Sequence, residues 1–302
     1  MAKVCLDGEF LDADSQYLNA SNRSFRYGDG LFESIRIIDG KIFNLENHFK
    51  RISSGLKILK IQMPLSLTLE RLEELILELV AHNDVQEGAC ARLVIYRGGN
   101  GNFMPSTMSG KYLIELNKIE HNYFQLNENG LSVDIYDDMK KQLNPLSPYK
   151  TCNSLLYIVA CVMARENGLD DVLLLNETHN IIEATSSNVF IVTNGVLYTP
   201  TIEDGCVGGT FRMHLINLAI ENNIKVYECA LTPQNLLAAE EIFFTNSIKG
   251  IQWVGSYKTK RYYYETAKKL VELVNESVFK VKETDDSSLI EDANSTQDYP
   301  ET

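Results

Sequence analysis

Residues 172–199 read VLLLNETHNIIEATSSNVFIVTNGVLYT, and the punctuation of this stretch decides the architecture of the second half of the chain. The apolar runs VLLL, IIEA, NVFIV and VLYT alternate with NETHN at 176–180, small hydroxyl residues at 185–187 and NG at 194–195. Short runs rich in Val and Ile, bounded by Asn, Gly and Ser, are the pattern of strands joined by tight turns, because those turn residues tolerate the left-handed backbone such turns require. One acid, Glu183, stands at the end of a run, just before the hydroxyl residues and Asn188. A carboxylate there can simply mark a turn, since charges in short loops are usually solvated.

Upstream, residues 143–157 read LNPLSPYKTCNSLLY and place Lys150 between two prolines and an apolar run that continues as IVACVMA. Proline favours extended backbone on its N-terminal side, so the lysine falls between an extended segment and a helix. Most lysines at such a place are solvated; the alternative is an amine held in a pocket for covalent chemistry. Downstream, CVGGTFR at 206–212 sets paired glycines ahead of a helix expected over 210–222. Free backbone N–H groups at a helix start can face an anion, although GG is also a common tight turn. FFTNS at 243–247 adds small hydroxyl and amide donors after a strand. EIFFTNS and GIQWV are strand-like.

The first half has hairpin punctuation at Asp7–Gly8, at GDG over 28–30 and at Asp39–Gly40. Helical spacing of apolar residues follows over 45–61 and again over 66–82, where LTLERLEELILELVAH shows one apolar face. ARLVIYRGG and KYLIEL restore a strand pattern, and KIEHNYFQLNENG has no clear period. These features predict an α/β domain over 1–117, a connection at 118–130, a strand-rich domain with inserted helices over 131–282, and a disordered tail at 283–302. That tail has seven acidic residues and no Lys or Arg.

Composition narrows the function. The chain has 302 residues, 44% of them hydrophobic, and a formal charge of -13. Nucleic-acid binders collect phosphates on a basic face, so this charge argues against that class. No apolar run is long enough to span a bilayer and the first residues carry no secretory pattern, so a cytoplasmic protein is expected. Six cysteines without a C-x-x-C pair suit reduced thiols and argue against zinc. The chemistry-bearing residues left are Lys150 and Glu183. An amine to form an imine and an acid to keep a pyridine nitrogen protonated are what pyridoxal 5′-phosphate requires.

Taken in order, RYGDGLFESIRI, NHFKRI, ARLVIYRGG, PYKTCN, LLLNETHNIIEATSSNVFIV, GGTFR and EIFFTNSIKGIQWV resemble the class IV (fold type IV) pyridoxal-phosphate enzymes. This group contains the branched-chain aminotransferases, D-amino acid aminotransferases and 4-amino-4-deoxychorismate lyases. The resemblance implies an α+β fold, with a smaller N-terminal α/β domain and a larger C-terminal strand-rich pseudo-barrel domain. It implies that Lys150 holds the cofactor and moves the substrate proton, that Glu183 partners the pyridine nitrogen, and that Arg51, Thr210, Phe211 and Ser247 hold the phosphate. Tyr27 and Arg36 are implied in the substrate wall, Arg92 or Arg97 as a carboxylate clamp, and Asn188 as a loop-fixing residue. A homodimer is also implied.

Two positions depart from the pattern. Thr210 stands where an aliphatic residue usually follows the glycine, and Leu155 stands where the branched-chain enzymes place a tyrosine. Transamination of small aliphatic amino acids with 2-oxoglutarate is the expected reaction. Pyruvate release from aminodeoxychorismate in folate synthesis is the alternative, and a non-catalytic binding protein of the same fold is a third.

Overall fold

The computed structural model describes residues 2–16, 18–85 and 88–291, with side chains described through residue 278. The first half contains β1 (Lys3–Leu6), β2 (Glu9–Asp12), α1 (Arg23–Tyr27), β3 (Gly30–Ile38), β4 (Lys41–Ile42), α2 (Leu45–Leu59), α3 (Leu69–Asn83), β5 (Gly88–Arg97) and β6 (Gly110–Lys118). Its strands form one six-stranded antiparallel sheet in the order β2-β1-β6-β5-β3-β4. Period-two alternation puts Leu31, Ile35 and Ile37 of β3 on one face with Ala91, Leu93 and Ile95 of β5. The apolar stripes of α2 and α3, including Ile52, Leu56, Leu72, Leu75 and Leu79, close over that face. Burying each such side chain is worth about 1.5–3 kcal/mol, which holds the two helices on the sheet. α3 starts where Thr68 Oγ1 accepts the Arg71 N–H at 3.1 Å, satisfying an otherwise orphaned donor.

Asp7–Gly8 and Asp39–Gly40 turn two hairpins, with all four residues in the left-handed region. GDG behaves differently from the hairpin expected there: Gly28 is the left-handed C-cap of the short helix α1, its N–H bonding back to Arg23 and Ser24. The physical reason is Asn22, whose side chain accepts from Phe25 N and nucleates a turn of helix immediately before the glycine.

The remaining elements are β7 (Leu131–Lys141), α4 (Leu155–Glu166), β8 (Asp171–Asn176), β9 (Ile181–Ala184), β10 (Asn188–Thr193), β11 (Val196–Thr199), α5 (Thr210–Glu221), β12 (Val226–Glu228), α6 (Pro233–Ala238), β13 (Glu241–Asn246), β14 (Gly250–Tyr257), β15 (Lys260–Arg261) and α7 (Glu265–Glu291). They build a mixed nine-stranded sheet in the order β12-β11-β10-β13-β14-β7-β8-β9, with β15 on β14. The fold is α+β, as expected, with α2 and α3 on the first sheet and α5 and α7 on the second. Phe190 and Phe243 stack at 5.2 Å on one face of the sheet, and α5 and α7 pack there through Phe211, Leu215, Leu270 and Val274. Val133, Leu173, Val189 and Phe244 fill the opposite face.

α7 continues through Glu291, so the start of the segment expected to be disordered is helical; residues 292–302 lie outside the described residues. Extending a helix that is already formed adds one hydrogen bond per residue fixed, so α7 can run on beyond its packed first turns.

The two sheets are tied at the site. Phe32 N donates to Lys150 O at 2.9 Å and Cys152 N to Gly30 O at 3.0 Å, so the Lys150 segment pairs with the start of β3. Arg36, four residues on, donates to the carbonyls of Ile248 (2.9 Å) and His121, fastening β3 to the turn after β13 and to the connection after β6.

Candidate active site

Between the sheets lies a cavity of about 1130 Å³, lined by Lys150, Glu183, Arg51, Thr210, Phe211 and Ser247 among others. These six arrive from five local structures: the loop before α4, β9, the middle of α2, the first turn of α5, which carries both Thr210 and Phe211, and the turn after β13. Residues separated by up to two hundred positions therefore meet only when both sheets are formed.

Lys150 is half-buried and lines the cavity, and its side chain makes no hydrogen bond or ion pair among the described residues. Its ammonium lies 4.5 Å from the centre of the Phe32 ring. Burial, and then the Arg51 charge, depress its pKa from 10.5 to about 8. An amine in this condition is neutral for an appreciable fraction of the time near pH 8, which is what a nucleophile and proton carrier needs.

Glu183 is buried, and three donors fix it. Lys141 Nζ (2.6 Å) and Tyr157 OH (2.8 Å) donate to Oε1, and the Val207 N–H donates to Oε2 at 2.7 Å. Oε2 keeps lone-pair capacity, so the acid can accept one more donor from the cavity. Burial and Glu183 push the Tyr157 hydroxyl pKa well up, which keeps it a donor.

At the other end, Arg51 pairs through Nε (2.8 Å) and Nη2 with Glu33 and through Nη1 (2.9 Å) with Gly208 O. Burial alone would raise the Glu33 pKa; Arg51 and His48 outweigh it and bring it down to about 2. Gly209 caps α5 without a side-chain bond, leaving the Thr210 and Phe211 N–H groups with no intrahelical acceptor. A Cβ on Gly209 would sit 2.0 Å from Asn188 Oδ1, so only glycine lets this backbone approach. Asn188 fixes the loop by donating to Val207 O at 2.8 Å. Thr210 uses its hydroxyl as well as its backbone, with Oγ1 3.1 Å from His48 Nε2 and 2.9 Å from Ser247 Oγ.

The substrate-wall residues separate. Tyr27 lines the cavity beside Phe103, with ring centroids 5.8 Å apart. Arg36 and Arg92 do not line it. Arg36 shares the face of Phe32 and Ser34 but lies one residue pair beyond them, about 7 Å along the strand, and is committed to two carbonyls. Arg92 lies over the Phe32 ring at 4.1 Å. Arg97 lines the cavity, yet Nε holds Asp29 at 2.9 Å and Nη1 and Nη2 hold the carbonyls of Lys60 and Leu59, so no open guanidinium fork faces a carboxylate.

Glu33, His48, Lys141 and Tyr157 were not among the expected site residues. The signal for Glu33 is present in LFESIRII, where an acid shares the alternate face of Leu31, Ile35 and Ile37 and so requires a buried cation. His48 is one helical turn before Arg51 on the same face. Nothing local marks Lys141 or Tyr157.

Comparison with known proteins agrees with this geometry. Residues 30–257 match the amino-transferase class IV family. The chain belongs to the class IV aminotransferases. These enzymes use pyridoxal 5′-phosphate. A putative branched-chain-amino-acid aminotransferase of Methanocaldococcus jannaschii is 33% identical over 81% of this chain and 84% of that protein. A D-alanine aminotransferase of Bacillus licheniformis is 27% identical over the same shares, 81% and 84%. Among solved structures, a branched-chain aminotransferase of Thermoproteus uzoniensis with norvaline has a TM-score of 0.83 and 26% identity, covering 91% of this chain and 93% of that one. A putative 4-amino-4-deoxychorismate lyase of Legionella pneumophila shares the fold, with a TM-score of 0.79 and 24% identity over 88% and 97%.

The class IV cofactor fits the residues present. The cavity offers an anion cradle at the close-approach Gly209 and an acid with spare acceptor capacity at Glu183. It also holds an amine without a hydrogen-bond partner at Lys150.

Proposed function

We propose that this class IV aminotransferase transfers the amino group of small aliphatic, branched-chain amino acids to 2-oxoglutarate. The observation that carries the assignment of the chemistry is Lys150, a half-buried amine at the cavity with no hydrogen-bond partner and a pKa drawn down to about 8. The aliphatic preference is supported by the apolar wall of Tyr27, Phe32, Phe103 and Leu155 around the cavity, and by the first similar relative.

Pyridoxal 5′-phosphate supplies, when bound, an electron sink for negative charge developed at the substrate Cα. The chain does the rest. The Lys150 amine would hold the cofactor and, once substrate replaces it there, its Nζ would carry away the proton lost from the substrate Cα. Glu183, fixed by Lys141, Tyr157 and Val207, would keep a proton on the ring nitrogen. Arg51, the Thr210 and Phe211 N–H groups and Ser247 hold the phosphate.

The two sheets are read as two domains, residues 1–117 and 131–282, joined through 118–130 around the shared cavity. The partner is read as a second copy of this chain. α4 leaves Leu155, Ile158, Val159 and Val162 exposed on one apolar face beside the cavity, and burying them against an identical face would remove that surface from water. The cytoplasm is the expected compartment, supported by six unpaired thiols and by the lack of a membrane-spanning helix among the described residues.

The test is a pair of assays on the cofactor-loaded protein. Keto-acid formation from leucine or valine, dependent on added 2-oxoglutarate, supports the reading. Pyruvate release from aminodeoxychorismate with no acceptor would replace it with the lyase.

A further inference from the structure

Behind the anion end of the cavity runs an unbroken file of hydrogen bonds. Glu33 Oε2 lies 2.7 Å from His48 Nδ1, His48 Nε2 3.1 Å from Thr210 Oγ1, and Thr210 Oγ1 2.9 Å from Ser247 Oγ. Thr210 and Ser247 line the cavity; Glu33 and His48 are buried behind it.

The direction of the protons follows from donor and acceptor inventory. Glu33 is ionised beside Arg51, and an ionised carboxylate only accepts, so His48 Nδ1 carries its hydrogen. Burial keeps the imidazole neutral, leaving Nε2 a bare acceptor, and Thr210 must donate to it. Thr210 has one proton, so its contact with Ser247 is a hydrogen bond only if Ser247 donates. Every proton in the file therefore points away from the cavity, and Ser247 offers lone pairs to whatever enters.

A phosphate ester needs the opposite polarity, because it is close to dianionic above about pH 7 and presents only acceptors. Turning the Ser247 proton outward by itself leaves two hydroxyl oxygens at 2.9 Å with no proton between them. Moving the His48 hydrogen from Nδ1 to Nε2 sets a bare nitrogen against the Glu33 carboxylate. A single change satisfies every contact at once. With a proton added at Nε2, His48 donates to both Glu33 and Thr210, Thr210 donates to Ser247, and Ser247 donates to the anion.

We propose that binding of a phosphate ester at this end of the cavity reverses the hydroxyl file and draws one proton from solvent onto His48 Nε2. His48 is thereby a positioning residue, which matches the donors of Thr210 and Ser247 to a dianion without touching it. This rests on the phosphate assignment made above. The charged groups facing His48 are Glu33 on β3, which favours the added proton, and Arg51 on α2 and Lys150 before α4, which oppose it; from α5 the facing group is the Thr210 hydroxyl. The arriving dianion supplies the charge that outweighs Arg51 and Lys150. Lone-pair contacts of this kind are costly where water is excluded, so the switch follows the ligand.

The probe is pyridoxamine 5′-phosphate, whose amine forms no bond with Lys150, titrated calorimetrically into the cofactor-free full chain. Running the titration at about pH 8 in two buffers of different ionisation heat counts the protons exchanged, since the ester is already a dianion there. His48→Gln and Thr210→Val should each take up about one proton fewer than the wild type, whereas Thr210→Ser should match the wild type. Wild-type affinity should also weaken by up to about tenfold per pH unit above neutrality, a dependence lost in His48→Gln. Thr210→Val carries the test if His48→Gln does not fold. Binding with equal proton counts in the wild type and the variants overturns the relay and leaves the cofactor site standing. Failure of the wild type to bind the probe overturns the cofactor site and the relay together.

Discussion

One buried carboxylate stands in the cavity wall and another behind the opposite end, and the two are used in opposite ways. Glu33 and Glu183 are both buried, and each is paired with a cation and further donors. Glu33 does not line the cavity; its oxygens are taken by Arg51 and His48, so its charge aims an arginine rather than meeting a ligand. Glu183 lines the cavity and keeps room on Oε2 for a donor from inside it. A buried ion pair can thus belong to a site either as its scaffold or as its working surface. The direction in which the lone pairs face decides which.

Lys150 stands between these ends, and its loss should give the largest effect. Lys150→Ala is expected to lower keto-acid formation by at least about 10³-fold while leaving the circular dichroism unchanged. Activity close to wild type would mean that neither carboxylate serves this amine. Next comes the direct contrast. Glu33→Gln leaves Arg51 without its counter-charge and should cost about 3–5 kcal/mol in urea unfolding, as removal of one partner of a buried pair does. Glu183→Gln should cost less, because Lys141 is a point charge on a flexible stem that keeps its bond to Ser147 O, whereas Arg51 is a rigid fork, yet it should reduce activity by about 10²-fold. Equal stability losses at the two positions would erase the distinction between scaffold and working surface.

The asymmetry explains what could be read from the chain. Strand and helix patterns were legible, as for the runs from VLLL to VLYT and the apolar stripe of α3, because alternation and 3.6-residue spacing are local. Lys150 and Glu183, which both line the cavity, stand out in the chain because the blocks around them, PYKTCN and IIEATSSN, are compact. The scaffold was harder to see. Glu33 meets Arg51 across eighteen residues and Thr210 meets His48 across one hundred and sixty-two, so their pairing exists only in the packed molecule. The arginines separate for a related reason. Arg36 and Arg92 lie on strands outside the cavity lining and Arg97 within it, and chain position does not say which carbonyls a guanidinium will find. α6 and α7 went unread, and GDG looked like a hairpin because Asn22 acts as a cap only once the chain turns.

A pH experiment sharpens the comparison from the amine's side. The pKa of Lys150 falls from 10.5 to about 8 on folding, so between these values the unfolded chain binds more protons than the folded one. Stability of the cofactor-free protein should therefore rise with pH across that window, by up to about 3 kcal/mol from this group. Glu33 acts in the other direction and elsewhere: its lowered pKa contributes stability above the ordinary glutamate range that is lost as pH falls toward about 2. Lys150→Met lacks the first dependence only. Near neutral pH it should be the more stable protein in urea, with the difference shrinking as pH approaches about 10. A constant difference at all pH values would show that Lys150 is not held in a water-poor place.

The smallest expected effect tests how firmly the working carboxylate is aimed. Tyr157→Phe removes one of the donors to Oε1 and leaves Lys141 on that oxygen and Val207 on the other. Hydrogen bonds to a charged group are worth about 1.5–3 kcal/mol, and with two donors remaining the lower figure applies, or about tenfold in turnover. The hydroxyl is two residues past Leu155, where the branched-chain enzymes place a tyrosine, so the variant also separates two explanations of that displacement. If Tyr157 only steadies Glu183, its loss should weaken pyridoxamine 5′-phosphate binding and turnover by similar factors. A fall in turnover with unchanged binding would move the hydroxyl from the carboxylate to the reacting end of the cofactor.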